Sequence, residues 1–162
     1  MQTFETFNVT EKNKFGMASA LAMTDFTKCF EPVLFLFGQA GVGKTHLLKA
    51  MEQEAVKGNS NLRVRYVTGA QFMKEYNDSV TYGEVADYME EYCKLHLLLV
   101  DDVQDIVYSD DEGAKKMFIR LVLGMKAKAR RMAVTFDESF DSEDRSNDLQ
   151  NELTDGVVAF IE

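Results

Sequence analysis

Short apolar runs alternate with amphipathic stretches along this chain. "PVLFLFG" (32–38) is continuously apolar and ends in glycine, the pattern of a strand buried on both faces. "KTHLLKAMEQEAV" (44–56) carries Leu47, Leu48, Met51 and Ala55 at helical spacing. "LRVRYVTG" (62–69) alternates and is partly β-branched, which predicts a strand. "AQFMKEYNDSV" (70–80) and "GEVADYMEEYCK" (83–94) read as helices, and "LHLLLVDD" (95–102) as a second buried strand with acids at its end. "EGAKKMFIRLVLGMKAKA" (112–129) is a strong amphipathic helix. "RRMAVTFD" (130–137) and "GVVAFIE" (156–162) are further strands, and "KNKFGMASALAMTDF" (12–26) is a helix ahead of them all. The polar stretch "DESFDSEDRSNDLQNE" (137–152) reads as loop or marginal helix. Strands alternating with helices imply an α/β fold, a parallel sheet with helices on both faces.

Length and charge narrow this picture. A chain of 162 residues suits one domain with a real core. It divides into an N-terminal segment and helix (1–30) and a main core (33–162). One proline and no repeat or low-complexity tract argue against long linkers. A formal net charge of −9 disfavours coating of nucleic acid through the bulk field. The apolar runs are far too short to span a bilayer, and the N-terminus lacks a basic region followed by an apolar stretch. Cys29 and Cys93 have no metal-like spacing and read as reduced thiols. These features predict a cytoplasmic protein with no membrane partner.

The chemistry concentrates at strand ends. Gly38-Gln39-Ala40-Gly41-Val42-Gly43-Lys44-Thr45 fits G-x-x-x-x-G-K-[ST] at every fixed position. The glycines let the backbone curl so that successive N–H groups face an anion, and the following helix adds the positive end of its dipole. Lys44 is placed to reach the β- and γ-phosphates, and the Thr45 hydroxyl to ligate Mg²⁺. The plainer alternative is a Gly-rich strand-to-helix turn. The flanking strand and helix favour the phosphate loop.

"LLLVDD" has the form of a Walker B element. Asp101 is the candidate to hold Mg²⁺ through its water shell, and Asp102 to orient the attacking water. Alone, two acids at a strand end are more often solvated loop residues; beside a phosphate loop the functional reading leads. "AVTFD" offers Thr135 and Asp137 near a γ-phosphate, with an ordinary strand end and turn as an equal alternative for either. The acids at 105–112 lack EF-hand spacing and read as a solvated turn and helix cap. Tyr76, Tyr82, Tyr88 and Tyr92 read as packing residues with polar tips, although tyrosines can stack on bases. His46 lies beside the loop, and His96 opens a strand; neither spacing suggests a catalyst.

With these motifs in order, "TFETFNV...NKF", "EPVLFLFGQAGVGKTHLLKAM", "YVTGAQFMKEY", "LLLVDDVQDI" and "AVTFD" together resemble the ATPase domain of the bacterial replication initiator DnaA. "GKTHLL" and "DDVQ" are distinctive within the AAA+ class, and the resemblance covers nearly the whole chain. It implies a three-layer P-loop NTPase of AAA+ type, with a five-stranded parallel sheet, binding ATP and Mg²⁺. It implies adenine held near Phe7, Asn8 and Val9, a nucleotide contact at His46, and Asp137 at the sensor-1 position. It implies a place in replication initiation or its control, with a replication initiator or the replicative helicase as protein partner.

Departures from the family pattern carry information too. Where the family has an arginine finger, the chain reads "LQNEL", with Glu152 at the finger position. Anchored instead on "EDR" (143–145), Arg145 matches an upstream arginine and the finger position still lacks one. A finger is worth orders of magnitude in rate where it operates, so slow turnover is expected and self-association gains no finger from a neighbour. Met89, Glu90 and Cys93 stand where the family's single-strand-binding basics are expected, and acid repels phosphate, which argues against direct DNA binding. Neither a helical lid nor a helix-turn-helix segment follows the core. The sequence is then either a piece of a longer protein or a naturally minimal one, of bacterial or phage origin, and the methionine start and the acidic substitutions favour the second. Two other readings remain open: a non-hydrolysing docking module, and a helicase loader or inhibitor served by a partner's arginine.

Overall fold

A computed structural model describes residues 1–162. The chain runs α1 (Lys14–Met23), β1 (Val33–Phe37), α2 (Lys44–Gly58), β2 (Val64–Thr68), α3 (Gly69–Thr81), α4 (Val85–Cys93), β3 (Leu97–Asp101), α5 (Gln104–Val107), α6 (Glu112–Ala127), β4 (Arg131–Phe136), α7 (Asp148–Leu153) and β5 (Val157–Phe160). Five strands form one parallel sheet in the order β2-β3-β4-β1-β5. The continuous apolar runs are the inner strands. All residues of β3 and β4 are buried, and four of the five in β1. This is the signature of a sheet covered on both faces.

Period-2 alternation sends the strand side chains into two cores. Leu34, Leu36, Leu97, Leu99 and Ala133 join Leu47, Leu48 and Met51 of α2 and Ala20 and Met23 of α1. Phe35, Leu98, Val100, Val134 and Phe136 face the opposite way, onto Phe72 of α3, Phe118, Leu121 and Val122 of α6 and Leu149 and Leu153 of α7. Three layers result, with α1 and α2 on one face. Side-chain caps fix several helix starts. Thr68 accepts from the Gln71 N–H at 3.1 Å, and Asp111 from the Ala114 N–H at 3.0 Å.

One short helix adds to the sequence reading and another decides it. α5 is a single turn after the strand-end acids. α7 takes the helical alternative of the stretch read as loop or marginal helix and ends one residue beyond it. It forms because the Asn147 side chain accepts from the Gln150 N–H at 3.0 Å, while Leu149 and Leu153, one turn apart, bury in the core. The polar residues between them hid that spacing. The tyrosine reading also needs one correction. Tyr88 donates to the Phe72 carbonyl at 3.0 Å and Tyr92 is buried, but Tyr82 is 74% exposed and packs against little. No helix is long and apolar enough to cross a membrane.

At the opposite end of β4 from the strand-end acids, Arg131 is 6% exposed. Its guanidinium donates to the carbonyls of Met23 at 2.7 Å, Asp25 at 3.0 Å and Lys28, and lies 4.3 Å over the Phe26 ring. One side chain thereby satisfies the C-terminal end of α1 and the loop behind it.

Candidate functional site

The carboxyl ends of β1, β3 and β4 converge, and the sequence motifs sit on them. Such ends are where open α/β sheets bind ligands. After β1 the chain makes the Gly38–Gly43 loop and enters α2. The backbone N–H groups of Gln39, Ala40, Gly41, Val42 and Gly43 donate to no acceptor within the protein. The first turn of α2 adds its own free N–H groups. Gly43 caps that helix at φ 107°, and a Cβ on it would lie 2.7 Å from the Phe7 ring. Only glycine meets both the backbone angle and the close approach. The loop is thus a concave row of donors at a helix N-terminus, an anion cradle.

Lys44 is 7% exposed and folds back along the loop, its Nζ donating to the Gly38 carbonyl at 2.6 Å and the Gln39 carbonyl at 2.5 Å. Burial pushes its pKa down, against the upward pull of Asp102, Asp101, Asp137 and Glu138. Asp105 is pushed the other way, upward, by burial and then by Asp102 and Asp137. The strand ends therefore present many carboxylates around one ammonium. A polyanion entering here needs a further cation to offset that field.

Asp101 lies at the centre of a hydrogen-bonded set. Its Oδ2 accepts from the Thr45 hydroxyl at 2.6 Å and from the Tyr66 hydroxyl at 2.6 Å, and its Oδ1 accepts from the Thr135 hydroxyl. The Thr135 oxygen also accepts from the Asp102 N–H at 2.8 Å. Thr135 is wholly buried and fixes both acids of the pair. Asp102 adopts φ 54°, a left-handed conformation that aspartate tolerates better than most residues. Its carbonyl would lie 2.6 Å from a Cβ on Gly69, so a glycine is needed there too. Its side-chain Oδ1 accepts from Gln104 Nε2 at 3.3 Å.

The remaining sequence candidates fall around this centre. Asp137 follows β4 and accepts from the N–H of Ser139 at 3.0 Å and from its hydroxyl, a closed turn. Tyr108 holds that turn down by donating to the Ser139 carbonyl at 3.0 Å. Phe7 is buried edge-on to His46, 5.3 Å between centroids. His46 itself points at the N-terminal segment: Nε2 donates to the Thr3 carbonyl at 2.7 Å and lies 3.2 Å from the Thr6 hydroxyl. The Asn8 carbonyl accepts from Asn13, and Val9 is exposed. Glu152, read from the sequence at the finger position, accepts from Lys126 Nζ on both its carboxylate (2.9 Å) and its carbonyl (2.8 Å). An acid there is an internal partner for a lysine.

No group of three His, Cys, Asp or Glu side chains forms a self-sufficient metal site. The Thr45 hydroxyl with the Asp101 carboxylate instead fits the usual Mg²⁺ arrangement. In it one or two protein oxygens suffice, because phosphate oxygens and water supply the rest.

Comparison with known proteins bears on this arrangement. The bacterial DnaA ATPase domain family matches residues 1–159. The chain belongs to that family. The chromosomal replication initiator protein DnaA of Limosilactobacillus reuteri is 33% identical over 134 residues, covering 83% of this chain and 30% of that protein. The DnaA of Streptococcus agalactiae is 27% identical over 151 residues, 93% of this chain and 33% of its own. The chain thus spans about a third of the length of these DnaA relatives. A structure of the replication initiator DnaA bound to AMPPCP and single-stranded DNA superposes with a TM-score of 0.90 at 26% identity, over 99% of this chain and 50% of that one. Domain III of the Thermotoga maritima initiator gives 0.89 at 28% identity, over 99% and 67%. The DnaC helicase loader shares the fold, with a TM-score of 0.78 at 13% identity over 99% of this chain and 97% of that one. The DnaA-type AAA+ core expected from the sequence is the fold observed.

Sequence reasoning missed Tyr66 and Gln104, each of which touches a Walker B acid. Gln104 stood in the quoted "DDVQ", but only its pattern value was read. Tyr66 opened the quoted "YVTGAQFMKEY", but there too only the pattern was read.

Proposed function

We propose that this chain binds ATP with Mg²⁺ and acts as a nucleotide-dependent switch in replication initiation or its control, through a protein partner. The observation that carries this reading is the row of free N–H groups from Gln39 to Gly43, continued by Lys44 and by Thr45, whose hydroxyl donates to Asp101. The AMPPCP-bound initiator structures at 26% identity support nucleotide as the ligand. Gly38 to Gly43 cradle the phosphates and Lys44 neutralises them. Thr45 and Asp101 hold Mg²⁺, which when bound screens the phosphate charge from the surrounding carboxylates. Phe7 lies against Gly43 at the mouth of the loop, and it and the following Asn8 and Val9 are the segment proposed to hold the adenine. Asp102, oriented by Gln104 and by the Thr135 oxygen, positions water for a slow hydrolysis, and Asp137 senses the γ-phosphate.

A second reading, a docking module that binds nucleotide without spending it, is favoured by one specific contact. Glu152 is engaged with Lys126, so the finger position offers no cation to a neighbouring copy. Single-strand binding through α3 and α4 is not part of either reading. Residues 75–93 carry Glu75, Asp78, Glu84, Asp87, Glu90 and Glu91 and no lysine or arginine.

The test uses purified full-length initiator and purified replicative helicase from the same cell, each immobilised and titrated with this chain. The switch reading expects binding to one of them that differs between ATP, ADP and no nucleotide. Binding that ignores nucleotide leaves the docking module. Binding to neither in any nucleotide state overturns the placement in replication control.

A further inference from the structure

Four residues, Thr45, Lys49, Tyr66 and Thr135, form a box around the Walker B acid, and two of them, Tyr66 and Lys49, have no role in the reading above. In β2 and β3 the register pairs Thr68 with Asp101, so Tyr66 lies on the neighbouring strand, diagonal to Asp101 and on the same face of the sheet. That face is covered by α2, where Thr45 and Lys49, one turn apart, lie above Asp101 and Tyr66 respectively. Thr45 donates to Asp101 Oδ2 at 2.6 Å, and Lys49 Nζ lies 3.6 Å from the centre of the Tyr66 ring. The Tyr66 hydroxyl closes the box by donating to the same Oδ2 at 2.6 Å.

This arrangement limits how the carboxylate can turn. With Thr135 on Oδ1 and both Thr45 and Tyr66 on Oδ2, Asp101 has three donors in fixed directions. A carboxylate offers about four acceptor sites. The one that remains is therefore aimed rather than free to rotate. The phenol hydroxyl supplies one of those three donors from a strand, so its direction is fixed by the sheet. Lys49 over the ring face holds the ring in place by cation–π attraction.

We propose that Tyr66 is a positioning residue for the metal: through its hydroxyl it fixes the Asp101 carboxylate in the orientation that receives the Mg²⁺ hydration shell, and so sets the Mg²⁺ dependence of nucleotide binding. This rests on the ATP–Mg²⁺ reading of the site. Partners that orient a metal-binding group from outside its first shell typically matter tenfold or more in metal affinity. Tyr66→Phe removes only the oxygen and keeps the ring beneath Lys49.

The experiment titrates a fluorescent ATP analogue into wild type, Tyr66→Phe, Asp101→Asn and the double variant. Each titration is run across a Mg²⁺ series and in EDTA, with melting midpoints recorded alongside. Tyr66→Phe is expected to raise the Mg²⁺ concentration for half-maximal binding by roughly tenfold, while leaving the weak binding in EDTA unchanged. In the Asp101→Asn background the same change is expected to add nothing, because the tyrosine acts through that carboxylate. An unaltered Mg²⁺ profile in Tyr66→Phe overturns the proposal. So does an equal loss with and without Mg²⁺, which would make the tyrosine a packing residue. Absence of nucleotide binding by wild type at saturating Mg²⁺ overturns the underlying ATP reading, and this proposal with it.

Discussion

Thr135→Val is the substitution that separates the hydroxyl from the shape of the residue that ties the Walker B pair together. Valine keeps the volume and the β-branch that suits β4, and removes one oxygen. That oxygen donates to Asp101 Oδ1 and accepts from the Asp102 N–H at 2.8 Å. The residue is 0% exposed and Asp101 is 3% exposed, so water does not readily replace either bond. A hydrogen bond to a charged group contributes about 1.5–3 kcal/mol, and an orphaned buried N–H costs about 1–3 kcal/mol. Asp102 is only half-buried, which places the second figure at its lower end. The sum is about 3 kcal/mol. For a domain of this size it corresponds to a fall in melting midpoint of about 6–12 °C. Thr135→Ser keeps the hydroxyl and loses a methyl, for about 1 kcal/mol. Chemical denaturation of the three proteins, with a common m-value, measures the differences. Valine within about 0.5 kcal/mol of wild type, or serine as damaging as valine, would refute the assignment of that oxygen as the tie between the two acids.

Gly43→Ala places a Cβ against the Phe7 ring at a backbone angle alanine avoids, so the variant should lose about 1–3 kcal/mol of stability and its nucleotide affinity together; thermal melts and nucleotide titration check both. Glu152→Arg sets a cation against Lys126, whose side chain is 18% exposed, and should lower the melting midpoint, whereas Glu152→Gln, which still accepts a hydrogen bond, should lower it less. Asp105→Asn should raise stability at neutral pH. Its folded pKa lies above the ordinary 3.8, so the folded state binds the proton more tightly and the carboxylate's penalty is full above the folded pKa. That gain should fade as pH falls through the folded pKa and be gone below the ordinary value, and denaturation midpoints measured from pH 3 to pH 8 are the check.

Much of the fold was legible because its signals are local. "VLFLF" and "LLLVD" are buried strands by composition alone, and Leu47, Leu48 and Met51 mark the inner face of α2 within one stretch. The phosphate loop was legible for the same reason: its conformation is written in three closely spaced glycines, Gly38, Gly41 and Gly43. What could not be read depends on residues far apart in the chain. Tyr66 meets Asp101 across 35 positions and Thr135 meets it across 34, and only the strand order brings them together. "AVTFD" alone offered both Thr135 and Asp137, and the resemblance placed Asp137 at the sensor-1 position. The fold separates them by pointing one hydroxyl inward to the Walker B pair and closing the other side chain into a turn with Ser139. Arg131 reads as an ordinary cation at a strand start, but it is buried because it binds carbonyls more than a hundred positions away. His46 sits in the motif by sequence, and turns in space to the N-terminal segment.

The central claim is that the Gly38–Thr45 loop holds a nucleotide's phosphates. It is tested most directly by equilibrium binding of ATP in saturating Mg²⁺ to wild type and to Lys44→Ala. Wild type is predicted to bind and to melt at a higher temperature with nucleotide present. Lys44→Ala is predicted to lose both effects while keeping the folded spectrum of the wild type. No binding by wild type at millimolar ATP, or binding that the lysine's removal leaves intact, would contradict the account.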